Sequence, residues 1–291
     1  KKFKVVLDAG HGGKDYGATY HGNIEKKISL NTVLKVGEIL SRESNIDVVY
    51  SRKTDVFVEL NERANIANRS KGHLFVSMHC NANENQVASG TETYVMGVTR
   101  NAANLEVAKK ENAVVTLESD YKIKYDGFDP KSPESVMGIS IMQEENIQQS
   151  IDIAGKVQQA FTKFTPSKNR GVKQAGFLVL REIIMPRVLI EMGFVSNKDE
   201  GAFLNSAEGQ NKLAEAIAKA ILEYRDDFFK LEAPVAPKKE EPKKDSVKKE
   251  EPKKADVKPI ADNKTAVDGV IFKIQISASG KKLETLPKNF K

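Results

Sequence analysis

Three short apolar runs, at residues 3–7, 46–50 and 74–78, are separated by stretches whose apolar residues recur at helical spacing. In the first stretch Leu30, Val33, Leu34, Gly37 and Leu40 share a face, and in the second Leu60, Ala64 and Ala67 do. Strand, helix, strand, helix, strand predicts βαβ units and therefore an α/β fold with a mostly parallel sheet. In such a sheet the functional loops lie beyond the carboxyl ends of the strands. Downstream, residues 91–96 read as a strand and 103–117 as a helix. Ile147, Ile151, Ala154, Val157 and Phe161 mark a long amphipathic helix, 177–180 and 188–190 read as short strands, and 207–229 as a closing helix. The polar stretch 118–135 has no period of its own and is expected to be a lid, a binding loop or a disordered insertion.

The first strand delivers His11 into a Gly-His-Gly-Gly turn, where glycine permits positive φ and lets backbone approach whatever the imidazole binds. The third strand ends on His79, so both histidines fall where such sheets place their sites. Glu25 opens the first helix. His11, Glu25 and His79 together are the donor set of a catalytic zinc, with one tetrahedral position left over, although their separation in sequence makes no compact metal motif. Glu191 interrupts the apolar run 188–194, and a carboxylate there is costly unless it is paired or beside a positive group. It is either a base for such a centre or a structural ion-pair partner of Arg187 or Arg181. Glu182, next to Arg181, reads as a surface ion pair. The single cysteine, Cys80, rules out a disulfide within the chain and is expected to pack as a small hydrophobe. His21 and His73 are expected on the surface.

The chain has 291 residues and a formal charge of +6, of which half sits in one place: residues 238–258 hold nine lysines and six acids. No basic surface is interleaved with aromatics, so nucleic acid is not an expected partner. No apolar run is long enough to span a bilayer. From 232 to 266 Pro, Lys, Glu and Ala dominate, and EEPKKDSVK returns ten residues later as EEPKKADVK. That composition has little apolar area to offset its ordering entropy and predicts a flexible linker. Residues 267–291 regain strand character in GVIFKIQIS and read as the start of a second domain.

LDAGHGGKDYGA, the helix-leading Glu25, SRKTDVFVELNERANIAN, FVSMHCNA, NRGVKQAGFLVL and PRVLIEMGFVSN, in this order over residues 1–231, resemble the zinc-dependent N-acetylmuramoyl-L-alanine amidases of the type 3 family. The resemblance implies a mixed sheet flanked by helices, one zinc ion held by His11, Glu25 and His79, and Glu191 as the catalytic glutamate. It implies peptidoglycan as substrate, cut between the lactyl group of muramic acid and L-alanine. A zinc endopeptidase or carboxypeptidase of the stem peptide, and a wall-binding protein without catalysis, are the alternatives. Arg63 and Asn81 lie in matching segments and either pack the helix and cap the loop or touch substrate. Arg170 is a candidate contact for an anionic peptide.

The stretch 118–149 resembles the regulatory insertion of division-associated amidases, which covers the zinc until an activator protein displaces it. The acids expected to reach the metal are Glu144 or Glu145. VIFKIQIS is similar to the opening strand of the sporulation-related (SPOR) repeat domains that bind glycan stripped of peptide. Together these imply a secreted or periplasmic enzyme of septal wall splitting, its signal peptide removed.

Overall fold

The computed structural model describes residues 2–140 and 146–232, so the expected linker beyond 232, the fragment 267–291, and Glu144 and Glu145 lie outside the described residues. In chain order the elements are β1 (Phe3–Ala9), a small hairpin of β2 (Thr19–Tyr20) and β3 (Asn23–Ile24), α1 (Glu25–Leu40), β4 (Ile46–Tyr50), α2 (Leu60–Ser70), β5 (Leu74–Asn81) and β6 (Thr91–Met96). Then come α3 (Ala102–Asn112), a 3-10 turn (Ala113–Leu117), α4 (Tyr121–Lys124), α5 (Pro133–Ser140), α6 (Ile147–Phe164), β7 (Asn169–Ala175), α7 (Leu178–Arg181), β8 (Arg187–Phe194), α8 (Lys198–Asn205) and α9 (Ala207–Glu232).

Six strands form one sheet in the order β4-β1-β5-β8-β6-β7, in which only the β6–β8 pairing is antiparallel. This is the expected mixed, mostly parallel sheet. From β1 the chain crosses as α1 to β4 on one side of β1, then as α2 to β5 on the other. The direction of winding therefore reverses at β1, and a crevice opens between the carboxyl ends of β1 and β5.

The two-residue period of the strands divides the core. Val5, Leu7, Leu74, Val76, Met78, Cys80, Val188 and Ile190 pack with α1, α6 and α9, whereas Val6, Phe75 and Leu189 pack with α2, α7 and the 105–136 region. Helices thus cover both faces. The same alternation sends Asp8, Ser77, His79 and Glu191 to the α2 side, and Cys80 into the opposite core as expected. In α6 the predicted apolar face holds, with Ala154, Val157 and Phe161 buried and Ile147 and Ile151 partly buried against the core, and Ile153 joins it.

Two local expectations are corrected and one unexpected strand is added. Residues 177–180 contribute to a turn of helix, α7, rather than a strand. Its first buried N–H, that of Leu178, is capped by Asn112 Oδ1 at 2.8 Å, so a residue distant in sequence supplies the helix start. The strand of that region is β7, unreadable by apolar pattern because it is an edge strand with alternating exposed polar residues. His73 is not a free surface histidine: its Nδ1 accepts from the Lys4 N–H at 2.8 Å and its ring stacks on Phe3.

Phe161 fills the space between α6 and the sheet without any solvent exposure. Phe161→Ala is expected to cost about 3–5 kcal/mol, read as a lowered urea midpoint at an unchanged native circular-dichroism spectrum.

Candidate active site

Beyond β1 the backbone turns at once. Gly10 lies flat against the His79 ring, where a Cβ would stand 2.5 Å from Cε1, and His11 itself adopts a left-handed φ of 59°. This aims His11 back into the crevice. Its Nδ1–H donates to Asp15 Oδ2 at 2.7 Å, since a carboxylate accepts, and this leaves Nε2 facing inward. Glu25 opens α1, where the positive end of the helix dipole favours a carboxylate. Glu25 Oε2 accepts from Ala18 N–H and Oε1 from Cys80 N–H, each at 2.8 Å. Gly17 allows this packing, because a Cβ there would lie 2.6 Å from Glu25 Oε2.

The structure brings together what the sequence kept apart. His11 Nε2 lies 3.2 Å from His79 Nδ1 and 3.0 Å from Glu25 Oε1, and His79 Nδ1 is 3.3 Å from Glu25 Oε1. A fourth donor completes the group: Glu111 Oε2 of α3, 2.8 Å from His79 Nδ1 and 3.3 Å from His11 Nε2. These four atoms all lie within 4.8 Å of one another. Ligands about 2.0–2.1 Å from a zinc ion at the centre of a tetrahedron stand about 3.3–3.4 Å apart, so the group is close to the size such an ion requires. The donor chemistry, two imidazoles and two carboxylates, fits a metal centre as well.

Sequence reasoning missed Glu111 and Asp15. Glu111 sits in a helix with almost no amphipathic signature, so nothing in its own segment singles it out. Asp15, four residues after His11, carries a legible signal as a carboxylate within reach of the imidazole.

Burial disfavours charge on every member of the group, and the neighbours reverse that penalty. For His11, Glu25 and Asp15 overcome burial and raise the pKa well above its usual range. For His79, burial is outweighed chiefly by Glu111, and the pKa rises to about 10. Glu25 is held below the usual carboxylate range by His11 and His79 despite its burial, and Glu111 by His79.

Glu191 behaves oppositely. It pairs in register with His79 on β5 and with Glu92 on β6. It is 0% exposed, and among the described residues neither carboxylate oxygen has a hydrogen-bond partner. Burial, reinforced by Glu111, pushes its pKa well above the usual range. The ion-pair alternatives fall away, because neither Glu191 oxygen is met by an arginine, and Arg181 pairs with the exposed Glu182, as expected of that pair.

The remaining candidates separate. Arg63 is only 2% exposed and spends four N–H donors on Val58 O, Asp8 Oδ1, Ala9 O and His11 O, so it underlies the site. Asn81 donates to Glu92 Oε2 and accepts from Ala82 N–H. It lines a cleft of about 480 Å³ that also borders His11, Glu25, Lys110 and Glu111. Arg170 is bound to Glu92 and lies over the Phe194 ring.

The N-acetylmuramoyl-L-alanine amidase family matches residues 5–223, three-quarters of the chain. The chain belongs to this family. It is 35% identical over 237 residues to the endolysin of Bacillus phage SPP1, covering 81% of this chain and 71% of that one. It is 29% identical to the amidase AmiA of Escherichia coli K12, covering 76% of this chain and 75% of AmiA. The N-acetylmuramoyl-L-alanine amidase of Clostridium difficile 630 superposes with a TM-score of 0.59 at 28% identity, over 77% of this chain and 97% of that one. The amidase is accordingly a peptidoglycan hydrolase acting on the amide between muramic acid and L-alanine. Among its described residues no helix is long and apolar enough to cross a membrane.

The raised His79 pKa fixes the sign of one pH dependence. Below about pH 10 the metal-free amidase holds His79 protonated, and His11 is raised in the same sense, so a metal ion must displace protons to bind. Zinc titrated into metal-free amidase at pH 7 is expected to release protons, with apparent affinity falling about tenfold per proton for each unit of pH decrease. Calorimetric titration in buffers of different ionisation enthalpy checks both.

Proposed function

We propose that the amidase holds one zinc ion through His11 Nε2, Glu25 Oε1 and His79 Nδ1, and that Glu191 is its general base and acid. The observation that carries this reading is the meeting of three donors from β1, α1 and β5 beside a buried carboxylate with no partner of its own. When bound, zinc supplies a Lewis acid for the scissile carbonyl and lowers the pKa of a nearby water toward ~7. Asp15 holds the His11 ring in the tautomer that presents Nε2. Glu191 takes a proton from the attacking water and returns it to the L-alanine amine as the carbon–nitrogen bond breaks. A carboxyl whose pKa is raised by burial is suited to hold that proton between the two steps.

Glu111 stands at the fourth corner, where water and substrate would have to enter. In this reading the amidase is self-occluded by Glu111; Glu144 and Glu145 lie outside the described residues. The helix that bears it, α3, lies ahead of the 118–149 stretch, so the regulatory segment begins earlier than the sequence resemblance drew it. What fastens the segment supports the idea: Glu118 Oε1 accepts from the Leu60 N–H, the buried Tyr125 hydroxyl accepts from the Asn61 N–H, and Lys124 pairs with Glu59. An activator protein that draws α3 away would open the fourth corner. Export to the cell envelope, a role at the division septum, the linker over 232–266 and the SPOR-like nature of 267–291 complete the proposal. They rest on the family's substrate and on the resemblance of VIFKIQIS.

Digestion of purified sacculi tests the reading. Mass spectrometry is expected to find intact stem peptides with a new L-alanine amino terminus; cuts within the stem would instead make the protein an endopeptidase or carboxypeptidase. Glu191→Gln is expected to lose activity by about 10³-fold or more while one zinc per chain is retained, because one proton-transfer group contributes about 10²–10⁴-fold. Glu111→Gln is expected to raise hydrolysis about ten- to a hundredfold. That is the equivalent of removing a charged hydrogen bond worth about 1.5–3 kcal/mol from the closed form, and unchanged activity would exclude the occlusion.

A further inference from the structure

The turn that carries His11 is held by buried cations. Arg52 donates from Nε to Ala9 O at 2.9 Å and from Nη2 to Gly10 O at 2.7 Å. Arg63 donates from Nη1 to Ala9 O at 2.6 Å and from Nη2 to His11 O at 2.8 Å, while Nη1 also grips Asp8 Oδ1 at 2.7 Å. Three consecutive carbonyls, leading into and including the candidate ligand, therefore accept from two guanidinium groups that are almost wholly buried.

A non-glycine residue at φ 59° persists only where its surroundings over-determine it. Here the surroundings are these two side chains, joined by Ser29 Oγ–H, which also donates to Gly10 O at 3.0 Å, and by Asp15, whose carbonyl accepts from the Gly12 N–H at 2.9 Å. Each peptide plane between Ala9 and Gly12 is fixed at its oxygen, so the Cα–Cβ bond of His11 has one direction available. Neither arginine touches the donor atoms, and neither is placed by the family resemblance in a metal-holding role. We infer that Arg63 and Arg52 are positioning residues for His11: they clamp the Ala9, Gly10 and His11 carbonyls in the strained conformation that aims Nε2 at the metal.

The guanidinium is required for its shape. A lysine keeps the charge but has a single compact donor head, which cannot reach Asp8, Ala9 O and His11 O together. Groups that orient a metal ligand from behind govern metal affinity, commonly by about ten- to a hundredfold.

The inference rests on His11 being a zinc ligand, as proposed above, and the test separates the two. Zinc affinity is measured on the full chain by competition with a chromophoric chelator for the parent, Arg63→Lys, Arg52→Lys and Val157→Ala. Val157 is buried in the core on the opposite face of the sheet, and its truncation lowers thermal stability without touching the turn. Both arginine variants are expected to bind zinc about ten- to a hundredfold more weakly than the parent, with the zinc-induced rise in Tm reduced in step. Val157→Ala is expected to lose Tm and keep the parent's affinity. Affinities within threefold of the parent in both arginine variants overturn the clamp, as does an equal loss in Val157→Ala. A parent that binds no zinc overturns the metal centre itself and the clamp with it, an outcome distinct from zinc binding that is indifferent to Arg63. If Arg63→Lys fails to fold, Arg52→Lys carries the test, because it leaves the Arg63–Asp8 pair in place.

Discussion

Two imidazoles and two carboxylates share one nearly dry volume at the end of the sheet, and their mutual neutralisation governs everything built around them. None of the four would tolerate its charge there alone. Together they are balanced: both histidines are driven toward the cationic form, and Glu25 and Glu111 are held anionic. If the proposed divalent ion displaced both imidazole protons, equal charge would be exchanged. The surrounding dipoles, the first turn of α1 and the Cys80 N–H, then face the same field in either state.

Glu92 and Glu191 occupy opposite positions on neighbouring antiparallel strands and are treated in contrary ways. Glu92 is surrounded by Arg170, Lys173, Tyr94 and Asn81, and those neighbours overcome burial to hold its pKa low. Glu191 has no hydrogen-bond partner among the described residues and is pushed the other way. One carboxylate is tied into the architecture while the one beside it is left, among the described residues, without a partner. Asn81 belongs to the first group, since its amide is fastened to Glu92.

Much of this was legible in the chain. The βαβ order placed His11 and His79 at adjacent carboxyl ends, which is a consequence of strand direction and needs no knowledge of contacts. Glu191 announced itself as an acid in an apolar run. What escaped was set by tertiary structure: β7 forms an edge and reads as polar loop, and Leu178 begins a helix because Asn112 caps it. Glu111 belongs to the site only because α3 is folded across it. Arg63 was legible as a residue of interest but not in its function, since its value lies in backbone oxygens that carry no sequence signature.

The first turn of α2 lacks a cap from its own side chain at Glu59. Its leading donors, the N–H groups of Leu60 and Asn61, are met instead by Glu118 Oε1 at 2.9 Å and Tyr125 Oη at 3.2 Å, both from the covering segment. The same helix carries Arg63. Lifting the cover would therefore hand those amide groups to water and loosen the end of the strut that braces the His11 turn, so uncovering the centre and stiffening it are opposed demands met by a single helix.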